Sequence, residues 1–332
     1  MKQMQEKSPC CKGQIRRFGR RRRQCGVCYK TWRVWSKKRG RKVRRSNDKL
    51  LLQRYLNRQL SITVHANRRD TPGRGGLEAR LRTARDEFVA TTKWTEVPNE
   101  PSILIADAFE ETIKGITRTG YLGFVRAATT SQAVILPPYY RAGTETAEGW
   151  EAAFASYGQS LSHVSALVCD GANGLIRQAK QRGWVLQRCH FHIWHSLNNY
   201  IRIPKKGRTQ PYARLIHGLV AVVLESPNDE KAYRAICRLQ ALLPELRSRG
   251  ARKVISGLTR NWLDSRSYIY CADLGLPRTS NCAEQGVCII RRLQQNARGW
   301  SSHASFTAWA EAALKHTQTV SCPASEISTK LI

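Results

Sequence analysis

HVSALVCDGANGL, residues 163–175, decides the fold. VSALVC is a short, continuous apolar run of the length and composition of a buried strand. Asp170 closes it. Gly171 follows, and ANGLIRQAKQRG (172–183) reads as a helix ending at Gly183. The apolar run aims the Asp170 carboxylate at the end of a sheet. The bland alternative is that Asp170 only caps the helix behind it.

Working outward, SILIADA (102–108), GYLGFVRAAT (120–129) and AVILPPY (133–139) read as three consecutive strands. A helix is expected over 145–158, and WVLQRCHFH (184–192) supplies one more strand. The order βββαβαβ is that of an RNase H-like domain, an α/β mixed sheet with helices on both faces. Residues 205–265 are helix-rich and charged, without strand signal. NCAEQGVCIIRRLQQNAR (281–298) forms one helix, with Gly299 behind it. The expected domains are a basic zinc-ribbon-like segment (1–46), a helical region with a candidate helix-turn-helix (47–98), a first part of the core (99–204), a helical insertion (205–265), a last part of the core (266–315) and a loose tail (316–332).

Three acids stand out in this frame. Asp107 and Asp170 close apolar runs, and Glu284 opens a helix. In the expected sheet the strands of Asp107 and Asp170 are neighbours, so both carboxylates reach one point. Glu284 would arrive from a helix packed on the sheet. Hard Mg²⁺ or Mn²⁺ takes oxygen ligands and keeps several waters, so a few carboxylates suffice. Two such ions about 3.5–4 Å apart clamp the attacking and leaving oxygens of a phosphoryl displacement. Each acid has a duller reading. Asp107 could be an ordinary strand-end acid, and Asn281 with Glu284 is spaced like a capping box. Asp70, Asp86, Glu87 and Glu110 compete for the first position, but none ends an apolar strand.

The charge fits a polyanionic partner. The chain of 332 residues carries 56 Lys or Arg against 24 acids, a formal charge of +32. Residues 1–45 hold 18 of those cations and one acid, Glu6, so the densest phosphate-binding segment lies at the front. Arg20, Arg21, Arg22 and Arg23 are its core. Arg291, Arg292 and Arg298 on the Glu284 helix are further candidates for phosphate contact, or a solvated helix face.

Eleven cysteines, an odd count scattered through apolar runs, read as thiols of a reducing compartment rather than as a disulfide framework. No apolar run is long enough to span a bilayer, and the front end has no signal-peptide core. A soluble, cytoplasmic, nucleoid-associated protein is expected. In SPCCKGQIRRFGRRRRQCGVC, Cys25 and Cys28 form a CxxC knuckle, and Cys10 and Cys11 precede it. The pair of clusters around a basic hairpin is ribbon-like and a candidate Zn²⁺ site. Ser8 stands where a ribbon's first cysteine would be, and adjacent Cys10 and Cys11 are awkward ligands for one tetrahedral ion. The rival reading is a basic arm with incidental cysteines. Cys189-x-x-His192 is better placed beside the acids than in a four-ligand metal site, with His192 touching a phosphate or supporting the strand; two packing residues would serve as well.

Asp107, then Asp170-Gly171-x-x-Gly174-Leu175, then Gln187-Arg188-Cys189-x-x-His192, then Arg278-Thr279-Ser280-Asn281-x-x-Glu284 resembles the Mutator-like DDE transposases of bacterial insertion sequences. The likeness covers residues 100–300, and the second-acid and CxxH blocks are its most specific parts. It implies that Asp107, Asp170 and Glu284 bind the divalent metals, with Cys189, His192 and Asn281 supporting them. It implies phosphodiester hydrolysis at element ends and joining of the freed 3′-OH groups to target DNA. The front end would read terminal inverted repeats, and pairing of two ends implies a homo-oligomer.

Overall fold

The computed structural model describes residues 10–12, 14–17, 22–33, 47–60, 62, 73–201, 211–297 and 300–324. Three short strands, β1 (Ile15–Arg17), β2 (Arg22–Cys25) and β3 (Thr31–Arg33), form an antiparallel sheet at the front. Two helices follow, α1 (Asp48–Leu56) and α2 (Arg74–Thr91). Asn47 caps α1 by accepting from the backbone N–H of Lys49 and Leu50, the usual role of Asn at that position.

The long strand β4 (Ser102–Ile113) organises the rest. Its side chains alternate, as strand geometry requires. Ile103, Ile105, Phe109 and Ile113 enter one core layer, while Leu104 and Ala106 enter another. β4 pairs antiparallel along its full length with β5 (Ile116–Ala127). Outward from β5 lie β6 (Gln132–Ile135) and short β7 (Tyr139–Ala142), both antiparallel to it. On its other side β4 pairs parallel with β8 (Val164–Cys169), which pairs parallel with β9 (Val185–Arg188). β10 (Thr319–Ser321) completes the far edge against β6. The fold is therefore α/β with a mixed sheet, in the order β10-β6-β5-β4-β8-β9 with β7 beside β5.

Both faces are covered. α3 (Ala147–Tyr157) and α4 (Asn173–Arg182) bury Trp150, Phe154, Leu175 and Ala179 against Leu104 and Leu167. After β9 comes α5 (His190–Tyr200), then the helices α6 (Pro211–Glu225), α7 (Asp229–Leu242) and α8 (Arg249–Arg260). These four share a separate apolar core of Ile193, Leu197, Ile216, Val220, Leu239 and Ile255. That core draws in α5, so the helical layer begins before residue 205. The other face of the sheet is covered by α9 (Asn281–Ala297) and α10 (His303–Thr317), through Ala283, Val287, Phe306 and Leu314. α1 and α2 pack on the outside of this pair: Leu51, Tyr55, Leu77 and Leu81 meet Leu293, Trp309 and Ala313. Tyr55 lies 4.9 Å from the Trp309 ring.

Four expectations need correction. The strand expected over 184–192 stops at Arg188, and His190 to His192 form the first turn of α5. The strand expected to end near Asp107 continues to Ile113, so Asp107 is mid-strand rather than strand-end. Its pairing with β5 carries it past the end of the apolar run. The strand expected over 133–139 stops at Ile135, and Tyr139–Ala142 turns to pair with β5 instead. Pro137 and Pro138 stand between the two, and proline cannot donate to a ladder. The tail expected to be loose from residue 316 is structured through Cys322. α10 runs to Thr317, β10 pairs with β6, and Val320 and Cys322 are buried. Its hold is long-range: the fully buried Arg126 of β5 donates from Nη1 to Cys322 O at 2.9 Å and from Nη2 to Gly275 O.

Candidate active site

β4 and β8 bring Asp107 and Asp170 together. The register pairs Ile105 with Val168, and each acid lies two residues further along. Ile105 and Val168 belong to the core layer on the α9 face, so period-two alternation sends both acids toward that face. Burial pushes the Asp107 pKa up to about 6. The positive charge of His192 opposes this, while Asp170 and, more weakly, Glu145 reinforce it. The Ala108 N–H donates to Asp107 Oδ1 at 2.9 Å.

The loop after β8 explains the DGxxGL pattern. Asp170 Oδ1 accepts from the Ala172 N–H at 2.8 Å, while the N-cap position of α4 belongs to Ala172. Asp170 thus shapes the turn without capping the helix. Gly171 has φ +97°, and a Cβ there would lie 2.4 Å from the Arg188 guanidinium. That guanidinium donates from Nη2 to Asp170 O at 3.3 Å. A Cβ on Gly174 would lie 2.8 Å from Ala147 Cα, so this glycine lets α4 approach α3.

Cys189 ties three segments. Its N–H donates to Cys169 O at 2.7 Å, one residue before Asp170. Its Sγ accepts from the N–H and the hydroxyl of Ser280 at 3.2 and 3.3 Å, one residue before α9. The next residue, His190, donates its N–H to Arg278 O at 2.8 Å and bonds Ser265 O through Nε2 at 2.7 Å. Burial holds His190 down to a pKa of about 4, so it is neutral. Gln187, fully buried, accepts from the Tyr268 N–H at 2.9 Å and donates to Ser265 O at 3.2 Å. The QRCxxH block is thus a clasp between the second acid's strand and the start of the Glu284 helix.

His192 turns toward the acids. Hydrogen bonding to Cys189 raises its pKa to about 9, against a burial penalty, and the charges of Cys189, Asp107 and Asp170 add to the rise. Burial pushes the Cys189 thiol up, but hydrogen bonds from His192 and Ser280 bring it below its ordinary value. At neutral pH His192 is therefore an imidazolium whose charge is felt by Cys189 and by both aspartates.

Glu284 sits in the first turn of α9. Two contacts orient that helix: a Cβ on Gly286 would meet the Phe124 ring at 2.3 Å, and Gln294 donates to Glu111 Oε1 at 2.7 Å. Phe124 pairs with Ile105. α9 therefore runs in the direction of β4, with Glu284 at the end nearer Ile105. The helix starts at Asn281 and its first turn bonds Ser280 O, so Asn281 is inside the helix and not its cap. Glu284 Oε1 is buried with no hydrogen-bond partner among the described residues. A cavity of about 540 Å³ next to it is walled by α9, Thr317 and β10, and neither aspartate lines it. Asn281, Arg291 and Arg292 are exposed on α9. Arg298, Arg20 and Arg21 lie outside the described residues, as does the side chain of Arg22; Arg23 is half-buried on β2.

Glu145 was not singled out in the sequence. It accepts from Trp150 Nε1 at 2.6 Å, and its N–H donates to Glu110 Oε1 at 3.2 Å. Burial and the charge of Asp170 raise its pKa. An acid just ahead of a helix is ordinary, so TETAEGW carried no signal. Arg188 was likewise read only as part of a motif, not as the group that packs on Gly171.

The donor set suits a hard divalent cation. Burial and the neighbouring Asp170 raise the proton affinity of Asp107, and Glu284 Oε1 is a buried acceptor with no hydrogen-bond partner among the described residues. At the front end, the sulfurs of Cys10, Cys11, Cys25 and Cys28 all lie within 4.8 Å of one another. Cys10 and Cys28 sulfurs are 3.3 Å apart. The Val27 N–H donates to Cys25 Sγ at 3.4 Å. Hydrogen bonding to Cys28 pushes the Cys11 thiol up to about 12, while the Lys30 N–H helps lower Cys28. Thiols crowded onto one proton-sharing centre suit tetrahedral Zn²⁺, whose bonds to sulfur are about 2.3 Å. The adjacency of Cys10 and Cys11 is no obstacle, because both sulfurs lie within 4.8 Å of those of Cys25 and Cys28.

No protein-family profile matches the chain. No curated protein matches it. Among solved structures, the NurA nuclease from Sulfolobus solfataricus is similar over 57% of this chain at 9% identity, with a TM-score of 0.17. The chain spans about half of that protein, 51%. At that score the likeness carries no argument. No helix among the described residues is long and apolar enough to cross a membrane.

Proposed function

We propose that the chain is a metal-dependent enzyme that cleaves DNA phosphodiesters on an RNase H-like core, and in particular a DDE transposase. The observation that carries this is that Asp107 on β4 and Asp170 directly after the neighbouring parallel strand β8 lie toward the sheet face that α9 covers. The +32 formal charge supports a polyanionic substrate.

Asp107, Asp170 and Glu284 would hold Mg²⁺ or Mn²⁺, which when bound supply an activated water and neutralise charge at the phosphate. Asp107 gives up its proton to take part, and the His192 imidazolium eases that loss. Cys189 and Ser280, which join the end of β8 to the start of α9, would hold the second acid and the glutamate in register. In the first step the water oxygen bonds to phosphorus and the 3′ oxygen leaves, giving a 3′-OH and a 5′-phosphate. In the second, that 3′-OH attacks a target phosphodiester, whose own 3′ oxygen leaves. Arg291 and Arg292, exposed on α9, would contact the strand. The cysteine-rich front end with α1 and α2 would read terminal repeats, in a homo-oligomer that pairs two ends.

The test is cleavage of a plasmid carrying the DNA that flanks the coding sequence, with Mg²⁺. Asp170→Asn and Glu284→Gln should each lower cleavage at least a hundredfold. Undiminished cleavage by both would overturn the reading.

A further inference from the structure

Cys282 and Cys322 are buried together where the start of α9 meets the end of β10. Both are free thiols, and they share a side-chain hydrogen bond. The backbone around them is held from several sides. Cys322 N–H donates to Ser131 O at 2.7 Å, and Cys322 O accepts from Arg126 Nη1 at 2.9 Å. Gln285 of α9 donates from Nε2 to Ser321 O at 3.2 Å. The two thiols line one cavity of about 620 Å³, together with Asn281 and Gln285, which is wide enough to admit a small oxidant.

Buried cysteines often act only as small apolar groups. Arg126 sets this pair apart. It is fully buried, and its Nε has no hydrogen-bond partner among the described residues. Its other nitrogens donate to the carbonyls of Leu274, Gly275 and Cys322, which carry no full charge. A buried cation is costly unless an anion answers it, and both thiols lie within reach of this one. The hydrogen bond from Cys282 brings the Cys322 thiol below its ordinary value; burial opposes this, and the charge of Arg126 adds to it. The thiolate is the form of cysteine that attacks an oxidant.

We propose that Cys282 and Cys322 are a reversible redox latch, which a hydroperoxide closes into a disulfide that ties α9 to β10. In the first step the Cys322 thiolate attacks one peroxide oxygen and the O–O bond breaks. Cys322 becomes a sulfenic acid, and the departing hydroxide takes a proton to form water. In the second step the Cys282 sulfur bonds to the Cys322 sulfur, its proton passes to the sulfenic oxygen, and a second water leaves. The pair loses two electrons and the peroxide gains them. Small thiols reopen the bond by exchange. Disulfides in reducing compartments are mostly of this transient kind.

Cys282 stands two residues before Glu284, in the same helical turn. Glu284 lines the cavity between α9 and β10, and neither aspartate does. Resting on the metal-dependent cleavage reading above, the closed latch pins that turn to β10 and keeps Glu284 from joining Asp107 and Asp170. The oxidised form is the less active one.

The experiment uses the full chain, reduced and then exposed to hydrogen peroxide at low molar excess. Free thiols are alkylated and peptides mapped by mass spectrometry, with melting and Mg²⁺-dependent cleavage measured on the same samples. A linked peptide joining Cys282 to Cys322 should accumulate. The melting temperature should rise on the order of 5 °C, and cleavage should fall at least about tenfold. Reduction should reverse all three. Reduced Cys322→Ser should cleave like wild type, and peroxide should change neither its melting nor its cleavage. The linked peptide is read on the wild type, so it does not depend on how the variant folds. Cys282 and Cys322 left open to alkylation while the exposed Cys237 and Cys288 are oxidised would overturn the proposal. So would a linked peptide with melting and cleavage unchanged, or equal inhibition by peroxide in Cys322→Ser and wild type. A reduced wild type that cuts no DNA would overturn the cleavage reading and the latch's effect on it, while the linked peptide and the melting shift would still decide the latch.

Discussion

The sulfur of Cys189 accepts two hydrogen bonds from Ser280, one from its N–H at 3.2 Å and one from its hydroxyl at 3.3 Å. The two residues are 91 positions apart. Through them the strand end carrying Asp170 is joined to the helix carrying Glu284. Removing the acceptor leaves two buried donors unpaired, a cost of about 1–3 kcal/mol each at most. Cys189→Ala is therefore expected to destabilise the fold by about 2 kcal/mol in equilibrium denaturation. It should also lower metal-dependent cleavage more than Cys189→Ser does. A stability change near zero would show that the clasp is incidental.

The raised pKa of Asp107 makes metal loading pH-dependent. Below about pH 6 a proton competes for its carboxylate, so Mn²⁺ affinity measured by calorimetry should fall steeply as pH drops through that value. The His192 charge lowers the Asp107 pKa, so His192→Asn should move the midpoint upward. The stability signs follow from the same shifts. Both groups hold protons more tightly when folded, so each stabilises the metal-free fold at low pH and less as pH rises. For Asp107 the loss falls between its ordinary 3.8 and about 6. For His192 it falls between 6.5 and about 9. Melting curves in EDTA that show stability rising from pH 4 to 6 would contradict the Asp107 assignment, once surface carboxylates are matched by an Asp107→Asn control.

Much of this site was legible from local pattern. The apolar run VSALVC, its terminal acid and the glycines behind it specify a strand, a turn and a close helix contact with little help from the rest of the chain. What was hidden depends on partners far along the sequence. β4 outlasts its apolar run because β5 pairs with it to Ile113, which moves Asp107 into mid-strand. The last strand is too short to signal itself, and Arg126 holds it from 196 residues away. Glu145 joins the acids only because α3 packs against the turn after Asp170, a contact made at Gly174 and Ala147. None of these partners leaves a mark on its neighbours in sequence.

The front-end cysteines lead to a direct measurement. Purified protein should carry one zinc per chain by elemental analysis. Cys28→Ser should lose it, and so should treatment with a strong chelator. Cys237→Ser, at an exposed thiol away from the cluster, should retain it. Zinc content unchanged by Cys28→Ser would remove the cluster from consideration.

α1 and α2 share a core with α9 and α10, so the helical region is expected to unfold with the layer that covers the sheet. Leu81 is fully buried among Trp309 and its neighbours. Leu81→Ala should cost about 2–5 kcal/mol and shift the single denaturation transition. A separate early transition, with cleavage left intact, would mean that α1 and α2 are an independent unit.

The central claim is that Asp107, Asp170 and Glu284 share a divalent metal site. Crystals soaked in Mn²⁺ test it by anomalous diffraction. The account predicts at least one Mn²⁺ bound by oxygens of Asp107 and Asp170, with Glu284 in reach of the same site, and its loss in Asp170→Asn. Manganese absent from the two aspartates in the wild type, or bound there with Glu284 left in the α9–β10 cavity, would contradict it.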